Sequence, residues 1–261
     1  MTNYSILFLD IDGTILTSDD SIQESTKEAV KQVQAKGIEV FLATGRPLHE
    51  IWDIGKTLNV DAFIGYNGAY AIRNHKEIYN KPIDSTTVEK YLQTAKQYGH
   101  ELVMYTNKKN VMSSLESERI KEFITKFHLK HNEEYTPAVI DKILGMTVVN
   151  VNADEQALYN EEGIHLSQVN LEGFHHCYDV IRDTANKGQA VKMVLNQLNI
   201  DPKASIAFGD GMNDKEMLSV VGEGFSMGNA HPQLHTYAKH QTTSVEDSGI
   251  FNGLKSLGLV K

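Results

Sequence analysis

Two carboxylates, Asp10 and Asp12, stand directly behind the apolar run Ile6-Leu7-Phe8-Leu9 and in front of Gly13 and Thr14. A short continuous apolar run reads as a strand buried on both faces. Ligand sites in open α/β sheets lie at the carboxyl ends of such strands. Asp and Asp-Gly are also ordinary turn formers, so the pair gains weight only in company. That company is Thr44-Gly45-Arg46, Lys187, and Asp210 with Asn213 and Asp214, each at an expected strand end or helix start. Two carboxylates about 4 Å apart repel by about 4 kcal/mol at an effective dielectric near 20, so a buried cluster of them requires protons or a cation. Hard oxygen ligands beside a phosphate site suit Mg²⁺. Asp10 and Asp210 are the best direct ligands. Asp12 can add its backbone carbonyl and keep its side chain free, and Asp214 can bind the metal or orient its waters. The Thr44 hydroxyl and the Gly45 N–H suit a phosphoryl oxygen, Lys187 is a point charge suited to phosphate, and Asn213 is an amide donor. With the metal, these groups neutralise the charge that otherwise keeps a carboxylate nucleophile from a phosphate dianion.

The elements that must position these groups follow from spacing. Ser21-Ile22-Gln23-Glu24 has capping-box form, which predicts a helix over 22–36 ended by Gly37. A buried strand follows at 38–43, then a helix over 48–58, a strand at 62–65, and Asn67-Gly68 as a tight hairpin turn into 69–73. Strand, helix, strand is a βαβ unit, whose crossover places the second strand tip beside the first. After 82 the pattern turns α+β, with strand-like runs at 101–106, 144–151, 164–169 and 174–181 and helical stretches at 85–98, 116–127 and 154–159. From 187 the first style returns: a helix over 187–198, a strand at 205–208, the 209–214 loop, a strand near 224–228 and a helix near 249–257. The expected fold class is α/β: a Rossmann-like, mostly parallel sheet core made of 1–82 and 185–261, with an inserted α+β cap at 83–184 that sets substrate specificity.

The bulk properties agree with a globular protein able to bury a sizeable core. The chain has 261 residues, 41% of them hydrophobic, enough for one large or two modest domains. A formal net charge of −9 argues against a general nucleic-acid binder. Cys177 is the single cysteine, so an intramolecular disulfide is excluded and a reducing compartment is expected. The sequence shows neither a signal-peptide pattern nor a membrane-length apolar run, so a cytoplasmic location is expected, with a small phosphorylated metabolite as partner and neither nucleic acid nor membrane.

The order of these pieces resembles the haloacid dehalogenase superfamily of phosphohydrolases. The resemblance lies in Asp10-Ile11-Asp12-Gly13-Thr14, Thr44-Gly45-Arg46, Asn186-Lys187-Gly188 and Gly209-Asp210-Gly211-Met212-Asn213-Asp214, with Ser226-Met227-Gly228-Asn229-Ala230 after them. The long insert between the second and third motifs is similar to the Cof-type sugar-phosphatase branch. The resemblance implies Mg²⁺-dependent hydrolysis of small phosphate monoesters, sugar phosphates foremost. Asp10 would attack phosphorus to form an aspartyl-phosphate, and Asp12 would protonate the leaving alcohol and then activate water. The expected catalytic residues are Asp10, Asp12 and Lys187; the expected substrate contacts are Ile11, Thr44, Gly45, Arg46, Lys187 and Asn213; the expected metal residues are Asp10, Asp12, Asp210 and Asp214. The rival readings are a phosphomutase on the same fold and a non-catalytic phospholigand-binding regulator, against which Asp12 weighs because binding alone needs no general acid.

Other residues invite weaker readings. Arg46 suits substrate phosphate or an ion pair holding its loop. Asn67 is either a site residue or a plain turn former. His231 and His235 have i, i+4 spacing, but Pro232 stands where a zinc-protease motif needs Glu. His175, His176 and Cys177 fall in a strand-like run, where neighbours point to opposite faces, so joint ligation is not expected.

Overall fold

The computed structural model describes residues 4–169 and 171–261. The chain packs as two compact units. Unit 1 gathers the residues up to Arg46, Ile51–Asn80 and Asn186–Lys261; unit 2 gathers Pro47–Glu50 and Lys81–Ala185.

Unit 1 is built on an 8-stranded sheet. Its strand order is His240–Gln241, Glu223–Ser226, Ser205–Gly209, Ile6–Leu9, Glu39–Ala43, Ala62–Gly65, Tyr70–Arg73, Lys76–Asn80. The strands are parallel as far as Ala62–Gly65, and the last two pair antiparallel. Ile6, Leu7, Phe8 and Leu9 are all 0% exposed, the mark of a strand covered on both faces. Each such side chain contributes about 1.5–3 kcal/mol of burial free energy. Leu9 lies opposite both Leu42 and Phe208. Asp10, Thr44 and Asp210 therefore leave the same edge of the sheet at nearly one level.

Unit 2 is a 6-stranded sheet in the order Ile164–Gln168, Cys177–Arg182, Gly145–Val149, Glu101–Tyr105, Asn110–Met112, Asn132–Glu134. All neighbours are antiparallel except the last pair. Alternation along each strand separates two faces. Leu102, Met104, Met146, Val148, Tyr178 and Val180 pack with the Ser85–Tyr98 helix. Val103, Met112, Val149 and Cys177 pack with Ile120 and Phe123 of the Glu118–Lys126 helix. Arg182 closes the chain's passage into the unit by donating to the carbonyls of Pro82 (2.9 Å), Lys81 (2.9 Å) and Leu144 (3.1 Å).

Several local expectations change. The first helix is Glu24–Ala35 and its N-cap is Gln23, not Ser21. The Ser21 hydroxyl is engaged with Thr17 and Asp19 instead, and Ile22 bridges to Leu16. The 48–58 helix is interrupted: a 3-10 turn at Leu48–Glu50 belongs to unit 2, and the α-helix is Trp52–Leu58. The hairpin after Ala62–Gly65 turns through four residues, with Tyr66 and Asn67 both left-handed. The 154–159 stretch is 3-10 at Gln156–Tyr159. Short strands at Lys76–Asn80, Asn110–Met112, Asn132–Glu134 and His240–Gln241 had no clear alternation to announce them.

Candidate active site

All residues of the site belong to unit 1. Asp10 follows its strand and is 5% exposed; Lys187 opens the Lys187–Gln197 helix and is 0% exposed; Asp214 lies just past the Ser205–Gly209 strand and is 0% exposed. Lys187 Nζ donates to Asp10 Oδ1 at 2.5 Å and to Asp214 Oδ1 at 2.7 Å. Asn186 caps that helix by accepting from Gln189 N–H at 2.9 Å. Two glycines bring these parts together. Gly13, at φ +76°, leaves the room that the Asp210 carboxylate occupies, and Gly68, at φ +93°, lies against the backbone of Asn186 and Lys187. Any side chain at either position would collide with those groups, besides the backbone strain.

Asp214 is fully engaged. Its Oδ1 takes Lys187, and its Oδ2 accepts from the N–H groups of Asp210 and Gly211, both at 3.1 Å. Asp10 and Asp210 are not. Lys187 takes one oxygen of Asp10, and Thr14 Oγ1 donates at 3.1 Å to one oxygen of Asp210, leaving each carboxyl a second oxygen. Burial and the neighbouring Asp214 hold the Asp10 carboxyl well above the usual carboxylate range. The same two causes push Asp210 up to about 6. Burial alone would lower Lys187, but Asp10 and Asp214 outweigh it and hold the ammonium above its ordinary value. Asp10, Asp210 and Asp214 each offer an oxygen, all within 4.8 Å of one another. Three carboxylates against one ammonium leave two negative charges, which matches a divalent cation held by hard oxygens. Asp10 and Asp210 have the ligand capacity for it, whereas Asp214 has spent its oxygens in orienting Lys187 and the loop.

Asp12 corrects an expectation. Its side chain is outside the carboxylate cluster and is not free. Arg46 Nε donates to Asp12 Oδ2 at 3.0 Å and Arg46 Nη2 to Asp12 Oδ1, a two-toothed ion pair. Any role for Asp12 toward a metal is left to its backbone carbonyl. Ile11 is 0% exposed and its carbonyl accepts from Ile15 and Leu16, so a substrate contact there is left to its backbone N–H. Thr44 is buried, and its Oγ1 accepts from Arg46 N–H at 3.0 Å, which leaves the hydroxyl proton to donate. Asn213 Nδ2 donates to Asn67 Oδ1 at 3.2 Å, and Asn67 lies against Gly45. Gly45, Asn67 and Asn213 thus form one polar group, which makes Asn67 more than a turn residue.

Sequence reading passed over Thr14, Gly68 and Asn229. Thr14 sits inside the first motif and Asn229 inside the last. Asn229 donates to the Gly13 carbonyl at 2.8 Å and accepts from Val245 N–H, so it fastens the first loop to the far end of the sheet. Gly68 carried a signal only as the second half of Asn67-Gly68. The histidines find structural uses: His231 caps the 3-10 turn Pro232–Thr236, and His235 bonds Ser226. His175 and His176 lie in a turn, while Cys177 starts a strand and is buried.

The model of the haloacid dehalogenase-like hydrolases matches residues 7–254. A Bacillus subtilis (strain 168) protein named "Putative phosphatase YkrA" is 30% identical over 257 residues, covering 98% of each chain. Among solved structures, a hypothetical protein of Geobacillus kaustophilus HTA426 is 31% identical, with a TM-score of 0.90 over 99% of this chain and 100% of that one. The subclass IIB sugar phosphatase BT4131 shares the fold at a TM-score of 0.80 and 24% identity, over 98% of this chain and 100% of its own.

Proposed function

This chain belongs to the haloacid dehalogenase-like hydrolases, and we propose that it is a Mg²⁺-dependent phosphatase of small phosphate monoesters, sugar phosphates foremost, working through an aspartyl-phosphate on Asp10. The observation that carries this reading is the buried Lys187, which grips Asp10 and Asp214 while Asp10 and Asp210 each keep an oxygen. The phosphatase names of full-length relatives support the reaction class, and the sugar phosphatase among the structural neighbours supports the substrate class.

The chemistry follows from the chain's own groups. The free carboxylate oxygen of Asp10 attacks phosphorus, and the bond from phosphorus to the alcohol oxygen breaks. Asp12 gives that oxygen its proton. Asp12, now ionised, takes a proton from water as the water oxygen attacks the aspartyl-phosphate, and Asp10 leaves as carboxylate. Lys187 keeps Asp10 oriented through both steps. Thr44, Gly45, Asn213 and Arg46 receive the phosphoryl oxygens. Mg²⁺, held by Asp10 and Asp210, would supply charge neutralisation between carboxylate and phosphate. Both oxygens of Asp12 accept from Arg46, so a proton on Asp12 and this ion pair exclude one another. The approach of a phosphate dianion gives Arg46 a competing partner and releases Asp12.

The test is phosphate release from p-nitrophenyl phosphate with Mg²⁺ and then with EDTA. Release that EDTA stops is the expected result. No release in Mg²⁺ from this substrate or from a panel of phosphorylated metabolites would overturn the reading in favour of a phospholigand-binding protein.

A further inference from the structure

The Lys187–Gln197 helix packs against the short helix Lys215–Val220 within unit 1, and a cleft lined by both opens beside their contact. Gly188 makes the contact close. A Cβ there would stand 2.5 Å from Glu216 Cβ and 2.7 Å from the Glu216 carbonyl carbon. Helical spacing supplies two walls. Gln189 and Lys192 are three residues apart on the first helix, and Lys215 and Ser219 are four apart on the second, so each pair shares a helix face. The third wall is Tyr237, which is 44% exposed and directly follows the Pro232–Thr236 turn. Ser219 holds it against the second helix, for its hydroxyl shares one proton between the carbonyls of Lys215 (2.7 Å) and Tyr237 (3.4 Å). Asp10, Lys187, Asp210 and Asp214 are not among the lining residues, so the cleft is separate from the candidate active site.

Size and charge limit what the cleft can take. Its volume is about 270 Å³, just under the usual range of small-ligand sites, about 300–1,000 Å³. That suits one ring system with a short arm. Lys215 Nζ lies 3.5 Å from Glu216 Oε1, a loose ion pair. Among the described residues, Lys192 makes no ion pair and the Tyr237 hydroxyl meets no partner. Two ammoniums against one carboxylate leave a single positive charge, on a chain whose net charge is −9. One surplus positive charge matches a monoanion, whereas a phosphate monoester dianion would bring unbalanced charge against Glu216. The phenol ring of Tyr237 and the side chain of Val220 add an aromatic and an apolar surface. A planar ring stacks on such a phenol, and a carboxylate takes charge-assisted bonds from the lysines.

We propose that this cleft is a second small-molecule site and that it takes an aromatic carboxylate, with the ring on Tyr237 and Val220 and the carboxylate on Lys192 and Lys215. The proposal stands apart from the phosphatase reading, because neither the ligand nor its test involves ester cleavage.

Indole-3-acetate is titrated into the wild-type chain by calorimetry and by amide NMR. Cyclohexylacetate, which lacks an aromatic face, and tryptamine, which has an ammonium in place of the carboxylate, are titrated beside it. Indole-3-acetate should bind with amide shifts centred on Gln189, Lys192, Ser219 and Tyr237, and the other two should bind at least about 5-fold more weakly. Lys192→Gln should weaken indole-3-acetate about 3- to 10-fold. Tyr237→Leu should weaken it about 2- to 10-fold, while Tyr237→Phe, which keeps the ring, should stay within about 2-fold of wild type. Lys31→Gln, on the first helix, should leave the affinity unchanged. Lys31, Lys192 and Tyr237 are all exposed, so these variants keep the fold. No saturable binding below about 10 mM, amide shifts centred on Asp10 and Asp210, equal affinity for cyclohexylacetate or tryptamine, or an unchanged affinity in Lys192→Gln would overturn the site.

Discussion

Unit 1 and unit 2 both bury polar groups in their sheets, and they do so by opposite means. Unit 1 concentrates charge: three carboxylates and one ammonium lie at the end of a parallel sheet, where strand tips converge. Unit 2 spreads side-chain hydrogen bonds across the middle of a mostly antiparallel sheet, through Asn110, Tyr105, Thr147 and Asp179 on four of its strands. A charged cluster with a net deficit of cation can do bond-breaking chemistry. A row of hydroxyl bonds ending on one carboxyl carries no such surplus. Reaction and packing should therefore be separable by mutation, one unit at a time.

Asp10→Asn should abolish turnover, by at least about 10⁴-fold, because the amide cannot attack phosphorus while its shape and its bond to Lys187 survive. Near wild-type kcat, with deamidation excluded by mass spectrometry, would remove the nucleophile from unit 1 and dissolve the contrast between the units. Asp12→Asn should fall next. General acid catalysis contributes typically 10²–10⁴-fold, so a sugar phosphate, whose alkoxide leaves poorly, should lose about that much. Nitrophenyl phosphate should lose far less in the first step and show a burst of nitrophenol in rapid quench. The same loss on both substrates without a burst would make Asp12 structural.

Much of unit 1 was legible because each chemical residue directly follows a readable element. Asp10 comes after four buried apolar residues, and Asp210 follows the buried strand Ser205–Gly209. The polar row was not legible, for a physical reason. Tyr105, Thr147 and Asp179 meet only through strand register, and no local pattern encodes which residue of one strand faces which residue of the next. The strand Asn110–Met112 has three residues, too few for alternation to show. Residues 48–50 read as the start of a core helix, yet Glu50 instead accepts from Asn110 and from Lys130 N–H. Ser21 failed as a cap because Asp19, two residues before it, competes for its hydroxyl. The Asp12–Arg46 pair joins two motifs that were read separately, and their contact depends on the level at which neighbouring strands end.

Lys187→Met tests stability rather than rate. Removing one partner of a fully buried ion pair strands the other, at a cost of about 3–5 kcal/mol; here two carboxylates, Asp10 and Asp214, lose their shared cation. Urea unfolding at neutral pH should show a loss of that order. A loss under about 1 kcal/mol would mean that the charges of unit 1 are solvated in a way the geometry denies. Thr147→Val in unit 2, which removes a hydroxyl link between Tyr105 and Asp179, should cost distinctly less, about 1–3 kcal/mol.

The mildest change is a titration in unit 2. His49 is buried there and bonded to Asn110. Burial lowers the His49 imidazole from an ordinary value near 6.5, against the opposing pull of Asn110 and Glu50 and with the repulsion of His131 added. Nε2 is committed to Asn110, so a second proton would go to Nδ1, which meets no acceptor among the described residues. Because the folded state binds this proton less readily than the unfolded chain, the unfolded state holds more protons just below pH 6.5. Stability therefore falls as pH drops from about 6.5 through the folded midpoint, and the loss is complete below it. Imidazole NMR should show His49 protonating below the ordinary value near 6.5, with Nε2 as the protonated nitrogen of the neutral form. His49→Gln should shrink the drop in unfolding free energy between pH 7 and pH 5. A midpoint at or above 6.5, or a neutral form protonated at Nδ1, would overturn this account of the buried imidazole.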